Sequence, residues 1–184
     1  MDRSKVPAVL SIAGSDSSGG AGIQADIKTI TAHRLYAETA ITAITAQNTL
    51  GVTAVQNISP DIVAAQIDAV FDDIRPNAVK IGMVSSAEII DVIADRLSVW
   101  NATNVVVDPV MVATSGARLI AEDAAEALTR RLFPLATVIT PNIPEAMALL
   151  DYEVDSERTQ QNAAMLLTRR FGCASLVKGG HLVN

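Results

Sequence analysis

Apolar and polar residues alternate along the chain in two patterns, one typical of buried strands and one typical of amphipathic helices. Residues 6–13 form a mostly apolar run that predicts a buried strand, followed by a glycine-rich turn and a helix over about residues 20–34. β-Branched runs at residues 39–46 and 52–58 predict two further strands, separated by a turn-like segment at residues 47–51. The first third of the chain is therefore expected to contain three strands and one helix.

Helical spacing dominates the rest of the chain. Pro60 after Ser59 marks a helix start. The apolar stripe of that helix is formed by Val63, Ile67, Val70, Phe71 and Ile74. Four more strands are predicted at residues 78–84, 105–110, 137–140 and 174–178, and a short helix is predicted from Pro144. Each of the three longer helices between these strands has an apolar stripe: Ile90, Ile93, Leu97 and Trp100 in the first, Ala125, Leu128, Leu132 and Leu135 in the second, and Ala163, Leu166, Leu167 and Phe171 in the third. These repeats predict a three-layer α/β fold, a mostly parallel sheet with right-handed crossovers and helices on both faces.

The composition agrees with this fold and narrows the function. Of the 184 residues, 49% are hydrophobic but only 3% are aromatic, so the core is expected to be aliphatic, as in parallel sheets covered on both faces. The length favours one domain over residues 1–184. Acidic residues outnumber basic ones by 20 to 14, which gives a net charge of −6, and there is no basic stretch. A nucleic-acid partner is therefore not expected.

We expect a cytoplasmic protein, on three grounds. The single cysteine, Cys173, excludes an internal disulfide and a multi-thiolate metal site, and it fits a reducing compartment. No apolar stretch approaches the length of a membrane span, so no membrane partner is expected. The apolar run after Arg3 and Lys5 is short and leads into polar glycine-rich sequence, so it is interpreted as a buried first strand rather than a signal peptide.

Polar clusters follow the predicted strands at their carboxyl ends. In open parallel sheets these ends share one edge, and ligands bind there. The clusters are residues 14–22, Gln47 with Asn48, Gly82 with Met83, Asp108, residues 140–145 and residues 178–181. One ligand-binding edge is therefore expected.

Two nucleotide-binding motifs are incomplete in the glycine-rich segment. Gly14 and Gly19 have the spacing of a Walker A loop, but Gly and Ala follow Gly19 where that loop needs Lys and Ser or Thr. Residues 20–25 satisfy G-x-G-x-x-A, yet they do not follow the first strand directly, and Gln47 stands where the ribose-binding acid is needed. A dinucleotide-dependent oxidoreductase is therefore a distant alternative, which a titration with NAD would exclude.

Six segments carry a resemblance to a known family, and they come in that family's order. They are residues 11–26 (SIAGSDSSGGAGIQAD), 45–48 (TAQN), 80–83 (KIGM), 107–111 (VDPVM), 139–145 (ITPNIPE) and 177–181 (VKGGH). They resemble the hydroxymethylpyrimidine/phosphomethylpyrimidine kinases of thiamine biosynthesis. The resemblance implies a ribokinase-like α/β/α fold, ATP and Mg²⁺ as cofactors, a homodimer, and phosphorylation of 4-amino-5-hydroxymethyl-2-methylpyrimidine (hydroxymethylpyrimidine below) and then of its monophosphate.

The resemblance also assigns the substrate side of the site. Gln47 resembles the family's pyrimidine-reading glutamine, and an amide offers the donor and the acceptor that a neutral aminopyrimidine needs; a turn-capping amide is the alternative. Met83 offers a polarizable face to the ring, although a methionine after a strand is almost as often core. The wall against which the ring and its hydroxymethyl group lie is implied to be Gly14, Asp16, Ala21 and Gly22, where small residues let the backbone come close.

The phosphate side is implied in the same way. Asn142 and Glu145 resemble the superfamily's magnesium–phosphate motif, in which the carboxylate holds Mg²⁺ largely through water. The alternative for Glu145 is a helix stabiliser, because glutamate is common in the first turn of a helix. Asp108 resembles a second carboxylate that faces the metal and the phosphates, and Lys178 resembles a nucleotide-phosphate contact.

Departures from the family pattern limit what is expected of the chain. Thr114 and Ala117 stand where the family commonly has Lys and Asp. Members of the family continue beyond the position of residue 184 to a Gly-Thr-Gly motif whose amides form an anion hole. The fold is therefore expected to be C-terminally incomplete, and no catalytic residue is assigned. Little kinase activity is expected of the 184 residues alone, because the anion hole stabilises the transferring phosphoryl group. A pyridoxal-type kinase and an inert pyrimidine-binding fragment are the remaining alternatives.

Overall fold

The structure, a computed structural model, describes residues 6–111 and 122–180. Its strands are β1 Ala8–Ala13, β2 Tyr36–Ile41, β3 Ala43–Asn48, β4 Gly51–Asn57, β5 Ala78–Ile81, β6 Val105–Val107, β7 Val138–Ile139 and β8 Ala174–Ser175. Its helices are α1 Gly22–Ala32, α2 Pro60–Asp73, α3 Ala87–Val99, α4 Glu122–Ala127, α5 Ile143–Leu150 and α6 Glu157–Phe171, with α4 prolonged by a π turn at Leu128–Leu132 and a 3₁₀ turn at Phe133–Leu135. Thr114, Ala117 and His181 lie outside the described residues.

The main sheet has six parallel strands in the order β2-β1-β5-β6-β7-β8. The chain moves from β1 to β2 in one direction along the sheet and from β5 to β8 in the other. The connections that leave the carboxyl ends of β1 and β5 therefore diverge, and a crevice opens between them. The predicted mostly parallel sheet is confirmed, and this reversal places the ligand-binding edge at the glycine-rich segment.

Helices cover the two faces of the sheet, as predicted. On one face of β1, the hydroxyl of Ser11 donates to Asp26 of α1 at 2.6 Å. On the other face, Leu10 and Ile12 are fully buried in the core that Val63 and Ile67 of α2 also enter. Neighbouring residues of a strand point to opposite faces, so α1 and α2 lie on opposite sides of the sheet.

The core is aliphatic, and the predicted helical stripes supply much of it. Val63 and Ile67 of α2 are fully buried, and Ile90 and Ile93 of α3 are fully buried beside them. Of the few aromatic rings, Phe133 is fully buried in this core, and Phe71 stacks on the half-buried Trp100 with ring centroids 5.6 Å apart. No helix among the described residues is long and apolar enough to cross a membrane.

The strand predicted at residues 39–46 is wrong, because the structure divides it into two strands of different sheets. β2 belongs to the parallel sheet, whereas β3 pairs only with β4, as an antiparallel hairpin. Thr42 lies between them and is fully buried; its N–H donates to Ala13 and its hydroxyl donates to the carbonyl of Met83 at 2.9 Å. Thr42 is β-branched and carries no turn signal, so the apolar pattern does not reveal the change of sheet.

Candidate functional site

A cavity of about 410 Å³ opens at the carboxyl ends of β1 and β5, in the predicted crevice. The glycine-rich segment forms one wall, the β3–β4 hairpin forms another, and the ends of β5 and β6 form the floor. All six predicted substrate residues and one predicted phosphate-side residue line it, namely Gly14, Asp16, Ala21, Gly22, Gln47, Met83 and Asp108. The structure therefore brings together residues that are up to 94 positions apart in the sequence.

Asp16 holds the glycine-rich wall in shape. Its Oδ1 accepts hydrogen bonds from the N–H and the hydroxyl of Ser18 at 2.9 and 2.8 Å, and its Oδ2 accepts from the N–H groups of Gly20 and Ala21 at 2.9 and 2.8 Å. The pKa of Asp16 is lowered, chiefly by the hydrogen bond from the Ser18 hydroxyl, although burial opposes this. The carboxylate is thus kept charged and is largely occupied by the loop itself.

Gly22 is required where the wall meets the cavity, and the absence of a side chain at Gly14 leaves room for Met83. Gly22 begins α1 with a φ of +56°, and a Cβ there would lie 2.4 Å from the carbonyl oxygen of Gly14. A Cβ on Gly14 would lie 2.5 Å from the terminal methyl carbon of Met83. The Met83 side chain therefore packs directly against the glycine wall, which leaves the cavity flat on that side.

The β3–β4 hairpin presents Gln47 to the cavity. The pairing of the two strands shifts register between Ala46 and Gln47, and Gln47 then lies opposite Val52, with both side chains on the cavity. The hydroxyl of Thr45 donates to the amide Oε1 of Gln47 at 3.3 Å. The Nε2 of Gln47 has no hydrogen-bond partner among the described residues, so the amide retains free donors that face the cavity.

The floor contains an ion pair that the site prediction did not include. Lys80 of β5 donates to Asp26 of α1 at 2.8 Å, and both line the cavity with side chains 29% and 20% exposed. The Ser11 hydroxyl donates to the same oxygen of Asp26. A lysine in the apolar strand Ala-Val-Lys-Ile was the signal in the sequence, because a cation in a buried strand needs a partner.

A second polar cluster follows β6 and β7. The ammonium group of Lys178 donates to Oδ1 of Asp108 at 2.6 Å, and the hydroxyl of Thr140 donates to the same oxygen at 3.3 Å. The backbone N–H of Lys178 donates to the carbonyl of Pro141, and this hydrogen bond holds the residue beside Asp108. The structure thus joins the predicted phosphate contact, Lys178, to the predicted carboxylate, Asp108.

Glu145 has the helix-stabilising role that the sequence left open. Its carboxylate accepts from the N–H of Asn142 at 2.8 Å while the Asn142 side chain accepts from the N–H of Glu145 at 2.9 Å, which is a capping box at the start of α5. The other carboxylate oxygen accepts from the N–H of Met111 at 3.3 Å. Glu145 is 2% exposed, and burial raises its pKa, which the two backbone hydrogen bonds and Lys178 partly offset.

These residues fit a magnesium ion only in a limited way. Among residues 6–111 and 122–180, no three acidic, histidine or cysteine side chains converge at ligand distance. Oδ2 of Asp108 makes no hydrogen bond in that part of the chain, whereas both oxygens of Glu145 are already bonded to backbone N–H groups. Asp108 is therefore the direct ligand that this cluster offers, and Glu145 would act through water, as Mg²⁺ commonly allows.

A parallel sheet with a cavity at its strand reversal, and an acidic–basic cluster on the same edge, is an arrangement typical of α/β proteins that bind small molecules. The family model for phosphomethylpyrimidine kinase matches residues 16–184. The chain is 54% identical to the hydroxymethylpyrimidine/phosphomethylpyrimidine kinase of Rhizobium meliloti over 176 aligned residues. This alignment covers 94% of this chain and 65% of the relative. The chain belongs to the phosphomethylpyrimidine kinase family.

Solved structures agree with this family. Phosphomethylpyrimidine kinase of Clostridium difficile superposes with a TM-score of 0.90 at 48% identity, over 97% of this chain and 77% of that one. Pyridoxal kinase of Staphylococcus aureus, solved in complex with pyridoxal, superposes with a TM-score of 0.83 at 35% identity, over 95% of this chain and 64% of that one. The fold is therefore ribokinase-like. The chain spans about two thirds of the length of most curated relatives it matches, and 36% of a longer bifunctional one from Geobacter sulfurreducens.

Proposed function

We propose that the protein acts in the ATP-dependent phosphorylation of hydroxymethylpyrimidine and of its monophosphate, in thiamine biosynthesis. The observation that carries the proposal is that the free amide of Gln47, the glycine wall and Met83 meet in one cavity, and that Asp108 on the same cavity is bonded to Lys178. A flat polar ring and a phosphate group could therefore lie side by side at one edge of the sheet.

The pyrimidine side of the cavity matches a small neutral ring. Gln47 Nε2 would donate to a ring nitrogen, and its Oε1 would accept from the 4-amino group in addition to its weak contact with Thr45. The Met83 side chain would pack against one face of the ring. Asp26, paired with Lys80 at 2.8 Å, would offer a further acceptor on the floor. These contacts favour a ring that carries both donors and acceptors.

The phosphate side is served by Lys178 and Asp108. A phosphate oxygen would take over the charge-assisted hydrogen bond that Lys178 now donates to Asp108. Asp108 would then be free to face the Mg²⁺ that accompanies ATP, which supplies charge neutralisation to the transferring group. Asn142 lies on the same edge, at the start of α5, where the backbone N–H groups of the helix add positive potential.

A pyridoxal-type ring is the second candidate, and the likeness to pyridoxal kinase of Staphylococcus aureus is the observation in its favour. Both rings carry a hydroxymethyl group, so the cavity wall does not separate them. The 4-amino group distinguishes the two rings, because only the aminopyrimidine can donate from such a group to Gln47 Oε1. A catalytically inert pyrimidine-binding protein is the third candidate, which substrate turnover would separate from the kinases.

The test is product formation with Mg-ATP. The 184-residue chain, and the same chain extended by the remaining C-terminal part of the Rhizobium meliloti relative, are each incubated with hydroxymethylpyrimidine or pyridoxine, and phosphate esters are measured by mass spectrometry. We expect the extended chain to phosphorylate hydroxymethylpyrimidine with the larger kcat/KM. An extended chain that is folded, binds hydroxymethylpyrimidine and forms no ester leaves the inert binding protein. A larger kcat/KM for pyridoxine establishes the pyridoxal-type kinase.

A further inference from the structure

A second cleft, of about 270 Å³, lies between the edge strand β2 and the last turn of α2. Glu38 of β2 and Asp73 of α2 line it together with Tyr36 and Ile74. It shares no lining residue with the candidate ligand cavity, which lies at the carboxyl ends of β1 and β5. The cleft is therefore a separate feature of the molecule.

Glu38 is buried in this cleft without a partner. It is 8% exposed, it lies on the α2 face of the sheet with Ala40, and its Oε2 has no hydrogen-bond partner among the described residues. Buried polar atoms are nearly always paired, because a lost hydrogen bond to water is costly, above all for a charged group. An oxygen of this kind at the wall of a cleft points to a missing electropositive ligand.

The surroundings of Glu38 are negative as well. Burial raises the pKa of Glu38 to about 7, and repulsion by the nearby Asp73 adds to the rise. The last turn of α2 carries no basic residue, and its free carbonyl groups concentrate negative potential at the same place. Arg75, two residues after Asp73, is turned toward the carbonyl of Trp100 and the ring of Phe71.

We propose that Glu38 and Asp73 bind a divalent cation between β2 and the C-terminal end of α2. Carboxylate and carbonyl oxygens are the ligands of hard divalent cations, and Ca²⁺ accepts an irregular set of them completed by water. Two carboxylates would balance the charge of the ion, and the buried Oε2 of Glu38 would gain a partner. The ion would join the edge strand to α2 and so stabilise the folded chain.

The test is thermal unfolding of the 184-residue chain at pH 8, in EDTA and then in CaCl₂ or MgCl₂ with ionic strength matched by NaCl. At about 100-fold excess of cation over its Kd, we expect Tm to rise by roughly 5–10 °C. Glu38→Gln removes one charged ligand and should abolish most of this rise, and Asp73→Asn should lower the affinity for the cation measured by calorimetry.

Glu153→Gln is the matched control, because Glu153 is exposed and makes no side-chain hydrogen bond among the described residues. It changes the net charge equally and should leave the rise in Tm intact. An absent rise in the unmodified chain overturns the proposal, and so does an equal rise in Glu38→Gln. A rise that survives Glu38→Gln but disappears in Asp108→Asn would place the cation in the other cluster and also overturn it.

Discussion

Replacing Gln47 with Leu tests the substrate side of the proposed function. The Gln47 side chain is half-buried, its Nε2 is free among the described residues, and its Oε1 accepts only one long hydrogen bond, 3.3 Å from the Thr45 hydroxyl. The substitution should therefore change the stability of the fold little. It would, however, leave one or two polar atoms of a bound pyrimidine unpaired.

The expected cost follows from those unpaired atoms. Leaving these ligand atoms without a partner costs about 1–3 kcal/mol in total, so the Kd for hydroxymethylpyrimidine should rise by roughly 5- to 150-fold. Gln47→Glu keeps the acceptor for the 4-amino group and loses the donor, so its affinity should lie between those of Leu and Gln. Isothermal titration calorimetry on the 184-residue chain measures all three.

Gln56→Leu is the matched control for this series. Gln56 lies on β4 of the same hairpin, is exposed, and does not line the cavity. It should bind hydroxymethylpyrimidine as the unmodified chain does. If Gln47→Leu stays within about twofold of the unmodified Kd, which is less than 0.5 kcal/mol, the amide does not contact the ring and the assignment of Gln47 fails.

Three further predictions concern other parts of the molecule. Gly22→Ala should lower Tm by roughly 2–8 °C, because the left-handed φ costs about 1–2 kcal/mol in addition to the clash with Gly14. Gly20→Ala should leave Tm unchanged, because Gly20 has room for a Cβ, and equal Tm values for the two variants would refute the requirement for glycine at position 22. Lys178→Met should weaken Mg-ATP binding about tenfold or more while hydroxymethylpyrimidine binding persists; equal loss of both would indicate a structural role. In EDTA, the contribution of Glu38 to stability should fall as pH rises from about 4.5 to about 7, because folded Glu38 holds its proton to a higher pH than unfolded Glu38. Glu38→Gln should remove that part of the pH dependence and be the more stable chain at pH 8 by chemical denaturation, and a pH profile equal to that of the unmodified chain would contradict it.

The sequence predicts the parts of the fold that depend on periodicity. The stripe of α2 and the alternation of strands and helices follow from which residues must be buried, and the polar clusters at strand ends follow from the parallel sheet. Gly14, Asp16, Gln47 and Met83 were therefore expected on one edge, and the cavity they line agrees with that expectation. The roles assigned to them stay predictions.

The parts that were not predicted depend on contacts between distant residues. The change of sheet at Thr42 is fixed by its hydrogen bonds to Ala13 and to the Met83 carbonyl, which the local pattern does not contain. Asp26 and Lys80 become partners only when α1 packs against β1, the strand that pairs with β5. Glu38 is buried because β2 begins at Tyr36, before the β-branched run that suggested the strand.

A crystal structure of the chain with hydroxymethylpyrimidine would test the proposed binding site most directly. We expect the ring in the cavity of about 410 Å³, packed against Met83 and the glycine wall, with the Gln47 amide hydrogen-bonded to the 4-amino group and a ring nitrogen. Its hydroxymethyl group should point toward the Asp108 end. A ring bound elsewhere, or a ring in the cavity with Gln47 turned away from it, would refute the proposed site.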